Sequence, residues 1–193
     1  MTNIVFQRET FLIISIIFLL YPFCLISSPT ISYSTDSFEE TNLMQRAYDF
    51  LNHGETEHAL QIFDEILKVN PTHIHALNYK GLALASLGNY DEAIQWYDKV
   101  LDINPTDLSA LNNKGVALYN LGYYDEAIQW YDKVLDINPT DLSALNNKGV
   151  ALYNLGYYEE AIQWYDKVLD IDPNDSDAKY NKNIALLSLN KSK

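Results

Sequence analysis

Residues 108–141 read LSALNNKGVALYNLGYYDEAIQWYDKVLDINPTD, and residues 142–175 repeat them except at Asp125/Glu159, Asn138/Asp172 and Thr140/Asn174. Residues 74–107 are a looser copy of the same 34-residue text. A period of this length marks a solenoid, in which each unit is too small to bury its apolar face alone and buries it against its neighbours. Such a stack offers an extended surface for binding rather than an enclosed pocket for catalysis.

Each unit reads as two helices and two breaks. In residues 74–107 the first helix carries Leu77, Gly81 and Leu84 on one stripe at helical spacing, and Gly88 stands where a left-handed C-terminal cap is wanted. The second helix begins at Tyr90 with Asp91 and Glu92, where the helix dipole favours acids. It carries Ala93, Ile94, Tyr97, Val100 and Leu101 on its own stripe and stops before Pro105. Thr106 or Asp107 is placed to cap the next helix. Gly81, Gly115 and Gly149 fall inside first helices, where glycine costs about 1 kcal/mol relative to alanine. They therefore predict a close approach of the partner helix, expected at Ala93, Ala127 and Ala161.

These residues resemble the tetratricopeptide repeats, whose pattern sets a small residue, a Gly-x-Tyr turn, an alanine, an aromatic and a proline at fixed offsets. The matching series are Gly81, Gly88, Tyr90, Ala93, Tyr97 and Pro105; Gly115, Gly122, Tyr124, Ala127, Tyr131 and Pro139; and Gly149, Gly156, Tyr158, Ala161, Tyr165 and Pro173. A weaker copy at 40–73 keeps Ala47, Gly54, Ala59, Phe63 and Pro71. The chain departs from the pattern at Leu77, Leu111 and Leu145, where tryptophan is frequent, and at Lys80, Lys114 and Lys148, where leucine is usual. Those lysines are expected to lay their stems along the packed seam. The resemblance implies an all-α, right-handed superhelical solenoid of antiparallel helix pairs, with repeats at 40–73, 74–107, 108–141 and 142–175. A capping helix at 176–190, polar on its outer side, is expected to close the 40–193 domain.

Residues 1–30 lie outside this register. The stretch 11–26 is almost continuously apolar, interrupted by Ser15 and by Tyr21-Pro22, and follows Arg8. Its length falls between a signal-peptide core and a full membrane span, so both a cleaved signal and an uncleaved anchor fit. Pro29 disfavours cleavage after Ser28. Residues 31–39 then read as a flexible stalk. Positive charge before the segment and Asp36, Glu39 and Glu40 after it place the repeats outside the cytoplasm, either membrane-anchored or secreted. Cys24 is the only cysteine, which excludes an intrachain disulfide, and bulky Tyr21-Pro22-Phe23 before it does not suit a lipoprotein box.

Motifs for chemistry are lacking. No G-x-x-x-x-G-K-[ST] or G-x-G-x-x-G string occurs. The run from Asp170 through Asp172 to Asp175 opens like a calcium loop but has Asp175 where glycine is needed and Asn181 where glutamate is needed. His53, His58, His73 and His75 read as surface histidines rather than metal ligands. Neither a cofactor, a metal nor an enzymatic activity is expected. The net charge of −13 belongs to the repeats, since Arg8 cancels Glu9 in the leader. Such charge disfavours nucleic acid and anionic lipid surfaces as partners and would steer basic ones.

The copies disagree in an informative way. Residues 74–107 and 108–141 differ at Ile74/Leu108, His75/Ser109, Tyr79/Asn113, Leu82/Val116, Ala85/Tyr119, Ser86/Asn120 and Asn89/Tyr123, all in the first helix or its turn. At 100° per residue His75, Tyr79, Leu82 and Ser86 share a face opposite Leu77, Gly81 and Leu84. The resemblance implies that first helices line a concave groove for partner peptides. The groove candidates are Asn78, Tyr79 and Leu82; then Asn112, Asn113, Val116, Tyr119 and Asn120; then Asn146, Asn147, Val150, Tyr153 and Asn154. Asparagine amides suit a peptide backbone, and tyrosines give large rigid contact area. Family members that clamp a terminal carboxylate do so with lysine and arginine, whereas Ser109, Asn113, Ser143 and Asn147 stand here. The expected function is therefore a non-enzymatic interaction module or scaffold for an extended segment of a protein partner. The rival is a surface protein that associates with itself through stacked repeats. Trp96, Trp130 and Trp164 on the second helices are expected in the seam between hairpins.

Overall fold

The computed structural model describes residues 33–192, with side chains from Glu39 onward. The apolar run at 11–26 and Cys24 lie outside the described residues, and no helix among the described residues is long and apolar enough to cross a membrane. Among them are nine helices and no strand: α1 Tyr33–Asn52, α2 Thr56–Val69, α3 Ile74–Ser86, α4 Tyr90–Ile103, α5 Leu108–Asn120, α6 Tyr124–Ile137, α7 Leu142–Asn154, α8 Tyr158–Ile171 and α9 Ser176–Ser192. The stretch 31–39, expected as a stalk, is helical from Tyr33 onward. A first helix can run back along the chain because nothing in 33–39 is a proline or glycine that would stop it.

The capping residues set the helix boundaries. Asp107, Asp141 and Asp175 each accept a hydrogen bond from the backbone N–H three residues on, at 2.9, 2.9 and 2.7 Å, which satisfies a donor that the helix start leaves free. His73 Nδ1 does the same for Ala76 at 3.0 Å. Thr106 is occupied instead by Asn104 Oδ1, its hydroxyl donating at 3.1 Å, so the aspartate is the cap. At the other end Gly88, Gly122 and Gly156 have φ of 81–85°. The N–H groups of Gly88 and Asn89 reach back to Ala85 and Leu84, at 3.0 and 2.9 Å, and close the helix in a Schellman turn. Asn89 is also the first residue flanking α4, so one short turn reverses the chain.

The glycine inside each first helix meets a tyrosine rather than the expected alanine. A Cβ at Gly81, Gly115 or Gly149 would lie 2.6, 2.5 or 2.6 Å from Cε1 of Tyr97, Tyr131 or Tyr165. Those tyrosines are buried, as are Ala93, Ala127 and Ala161 one turn earlier. The alanine lets the helices approach, and the glycine accepts the ring that the approach brings in. Burial pushes all three phenols well above their ordinary pKa.

Neighbouring hairpins are joined by the lysines that break the family pattern. Lys80, Lys114 and Lys148 pair with Asp64, Asp98 and Asp132 on the preceding second helix. Their ammonium groups also lie 3.9–4.0 Å from the ring centroids of Trp96, Trp130 and Trp164, and those of Lys99, Lys133 and Lys167 lie 3.3–3.4 Å from the same centroids. Each tryptophan is half-buried, with two cations against its ring.

The last helix keeps the same register. Lys182 pairs with Asp166 as Lys148 pairs with Asp132. Where the earlier first helices turn Leu145 and Gly149 toward their own second helix, α9 has Lys179 and Asn183. It packs as a first helix does, with polar residues at those two positions. Its outer side is not wholly polar as expected, since Tyr180 is 67% and Leu187 58% exposed.

Candidate functional site

The site follows from how the hairpins stack. First helices of successive repeats, α3 with α5 and α5 with α7, come into direct contact, whereas α4 with α6 and α6 with α8 do not reach comparable contact. The stack therefore curves toward the first helices, and the residues they present line the concave side.

Three rows run along that side. The first is a row of amides: Asn113 donates to Asn78 at 3.3 Å, Asn147 to Asn112 at 3.3 Å, and Asn181 to Asn146 at 3.2 Å. Each bond crosses from one repeat to the next. One turn further along each helix comes an aliphatic row, Leu82, Val116, Val150 and Ile184, exposed or half-buried. The third row is aromatic and polar. Asn154 Nδ2 donates to the Tyr119 hydroxyl at 2.9 Å, and the Tyr153 hydroxyl and Ser188 Oγ share a bond at 3.1 Å. Asn120 and Asn154 also donate to the carbonyls of Val116 and Val150, at 2.8 Å, on their own helices.

The tyrosine rings have fixed orientations. Tyr119 packs on Tyr124 and Tyr153 on Tyr158, with centroids 5.3 Å apart in both pairs. Tyr79 differs from its counterparts Asn113 and Asn147. It is half-buried against Tyr48, at 4.6 Å, and Phe63, at 6.5 Å, which makes it part of the first-repeat core as much as of the groove. Burial, and then the nearby Tyr79 hydroxyl, push the Tyr48 phenol up to about 12.

Of the thirteen groove candidates these hydrogen bonds tie eleven across or along the repeats, while Leu82 continues the aliphatic row and Tyr79 packs into the first-repeat core. Sequence reading missed Asn181, Ile184 and Ser188 on α9, which extend all three rows. The signal was present, because Asn181 and Lys182 stand in the 34-residue register of Asn147 and Lys148. None of the three rows contains Asp, Glu, Lys or Arg, in a chain whose net charge is −13. Among the described residues no three His, Cys, Asp or Glu side chains gather as a metal site. His73 lies 3.3 Å from Glu40, and Asp172 and Asp175 accept backbone N–H groups in an inter-repeat turn.

The family model described as tetratricopeptide repeat matches residues 44–108, and that of anaphase-promoting complex, cyclosome, subunit 3 matches residues 86–168. This is a tetratricopeptide-repeat protein. Solved structures of the same fold agree. MamA from Desulfovibrio magneticus RS-1, residue 41 to the end, is 25% identical with a TM-score of 0.66, over 79% of this chain and 92% of that one. The first tetratricopeptide domain of Spaghetti (RPAP3), bound to the HSP90 peptide SRMEEVD, is 28% identical with a TM-score of 0.58, over 60% of this chain and 92% of that one. A tetratricopeptide-repeat protein from Parabacteroides merdae shares the fold at 22% identity, with a TM-score of 0.70, over 79% of this chain and 60% of that one. No curated protein sequence matches the chain. Among these tetratricopeptide-repeat neighbours, the RPAP3 domain is a peptide-bound one.

Proposed function

We propose that the repeats hold an extended segment of a partner protein against the concave face and perform no catalysis themselves. The observation that carries this reading is the rows themselves: amide, aliphatic and tyrosine side chains, without formal charge, aligned across successive repeats. Amides supply donors and acceptors to a peptide backbone, and the tyrosines supply rigid area at small entropic cost. The RPAP3 domain with its bound peptide supports such a use of the fold. The concave rows here lack the basic residues that would suit an acidic carboxyl terminus.

The leader charges suggest that the repeats face outside the cytoplasm, anchored or released, and protease access on intact cells checks it. For the groove, photo-cross-linking from Asn113 should capture a partner that Tyr119→Ala with Tyr153→Ala loses, while far-ultraviolet circular dichroism keeps its helical signal. Unchanged capture would sink the assignment.

End-to-end association is the second reading, favoured by the exposed Tyr180 and Leu187 on α9. Sedimentation of the full chain over a range of concentrations separates the two. A persistent monomer removes the rival, and assembly that Leu187→Ser abolishes supports it.

A further inference from the structure

The geometry points to a polyproline II segment free of charged side chains as the ligand of the concave face. This rests on the peptide-docking reading above and adds the conformation and composition of what docks.

Hydrogen-bond valence is the first argument. A primary amide has two donors and a carbonyl that accepts twice. One N–H···O bond between Asn112 and Asn147 therefore leaves the pair with further donors and acceptors, whichever way each amide is turned. A polyproline II backbone makes no internal hydrogen bonds, so its free N–H and carbonyl groups are available to such a rung.

Spacing is the second. Helices in contact lie about 8–10 Å apart, and the rungs recur once per first helix, so the rung interval is about 9 Å. Polyproline II rises about 3.1 Å per residue with three residues per turn, so one turn of ~9.3 Å brings the same face of the ligand to every rung. A β-strand advances about 3.3 Å per residue and turns over at every residue, so it would present opposite faces to consecutive rungs.

The third argument is breadth and chemistry. From Asn112 to Tyr119 is seven residues of α5, about 10 Å at 1.5 Å per residue, room for one chain. On the far side of the aliphatic row, Tyr119 and Tyr153 stand with rings held by Tyr124 and Tyr158. Aromatic-lined grooves receive flat pyrrolidine rings and benefit from a ligand already ordered before it binds. A charged ligand side chain buried over Val116 or Val150 would lose water and find no counter-charge.

A phage-displayed random-peptide library selected on the full chain, with counter-selection on the Asn112→Ala, Asn147→Ala variant, tests this. The expected peptides are rich in proline at three-residue intervals and lack Asp, Glu, Lys and Arg in the matched stretch. Their synthetic forms should bind in fluorescence anisotropy with an affinity that falls about tenfold in the double variant and does not respond to added salt. Tyr119→Ala, checked by circular dichroism, gives the same readout should the double variant lose helix. Peptides with two-residue alternation, or with charges, that still need Asn112 and Asn147 overturn the polyproline II assignment and leave the docking reading standing. Recovery of no peptide that separates the wild type from either variant overturns both.

Discussion

Replacing Gly115 by alanine sets two physical effects against each other. Helix propensity alone favours the change by about 1 kcal/mol, since Gly115 lies inside α5. Packing opposes it, because the new Cβ would lie 2.5 Å from Cε1 and 2.9 Å from Cδ1 of Tyr131. That ring is only 1% exposed, so it cannot simply swing into solvent. Overpacking of this kind costs about 1–3 kcal/mol. Set against the ~1 kcal/mol gained from propensity, this leaves a net loss of up to about 2 kcal/mol, which lowers Tm by up to about 8 °C for a domain of this size. Thermal and urea unfolding followed by circular dichroism measure it. Tyr131→Leu, which removes the ring, should make Gly115→Ala markedly less harmful, with a coupling energy of about 0.5–3 kcal/mol in the double-mutant cycle. A stabilised Gly115→Ala protein, or additive single effects, would refute the account of why glycine stands there.

Two further outcomes follow from the same geometry. Asp141→Ala removes the acceptor for the Ala144 N–H and should cost about 1 kcal/mol, whereas Thr140→Ala, which touches only the Asn138 side chain and not the helix start, should cost much less. A larger loss at Thr140 would reverse the assignment of the cap. In alkali, the buried phenols of Tyr97, Tyr131 and Tyr165 and the raised one of Tyr48 bind protons more tightly folded than unfolded. Their contribution is fully present below the unfolded value of about 10 and is lost as pH rises beyond it. Stability should therefore fall from about pH 10 upward, with tyrosinate absorbance appearing in step with loss of helix and more weakly dependent on pH in Tyr131→Phe. Gradual titration of every tyrosine with the helices intact would contradict their burial.

Much of this was legible before any coordinates, because a 34-residue identity leaves few architectures open. Gly88, Gly122 and Gly156 announced the left-handed turns, and the differences between residues 74–107 and 108–141 picked out the face the amide rows occupy. The partner of Gly115 was not legible: Ala127 and Tyr131 lie one turn apart on the same stripe, and only the helix offset decides which one meets it. Nor was the role of Lys114, whose counter-ion Asp98 is 16 residues back on another hairpin, a separation at which no local pattern operates. The polar composition of the terminal helix conceals a register that carries the rows on through Asn181 and Ser188. Tyr79 shows the opposite failure. Variation places it on an exposed face, but Tyr48 and Phe63 of the preceding repeat draw it into the core.

From the 74–107 repeat onward the bonds between hairpins are the same at each junction: a lysine reaches back to an aspartate, and an asparagine to an asparagine. Both sides of the repeat at 108–141 thus fit another copy of itself, and duplication or loss of that block requires no new interface. The number of units is then free to change under selection while the bond pattern stays constant. The protein would behave as a ruler, with ligand length counted in repeats.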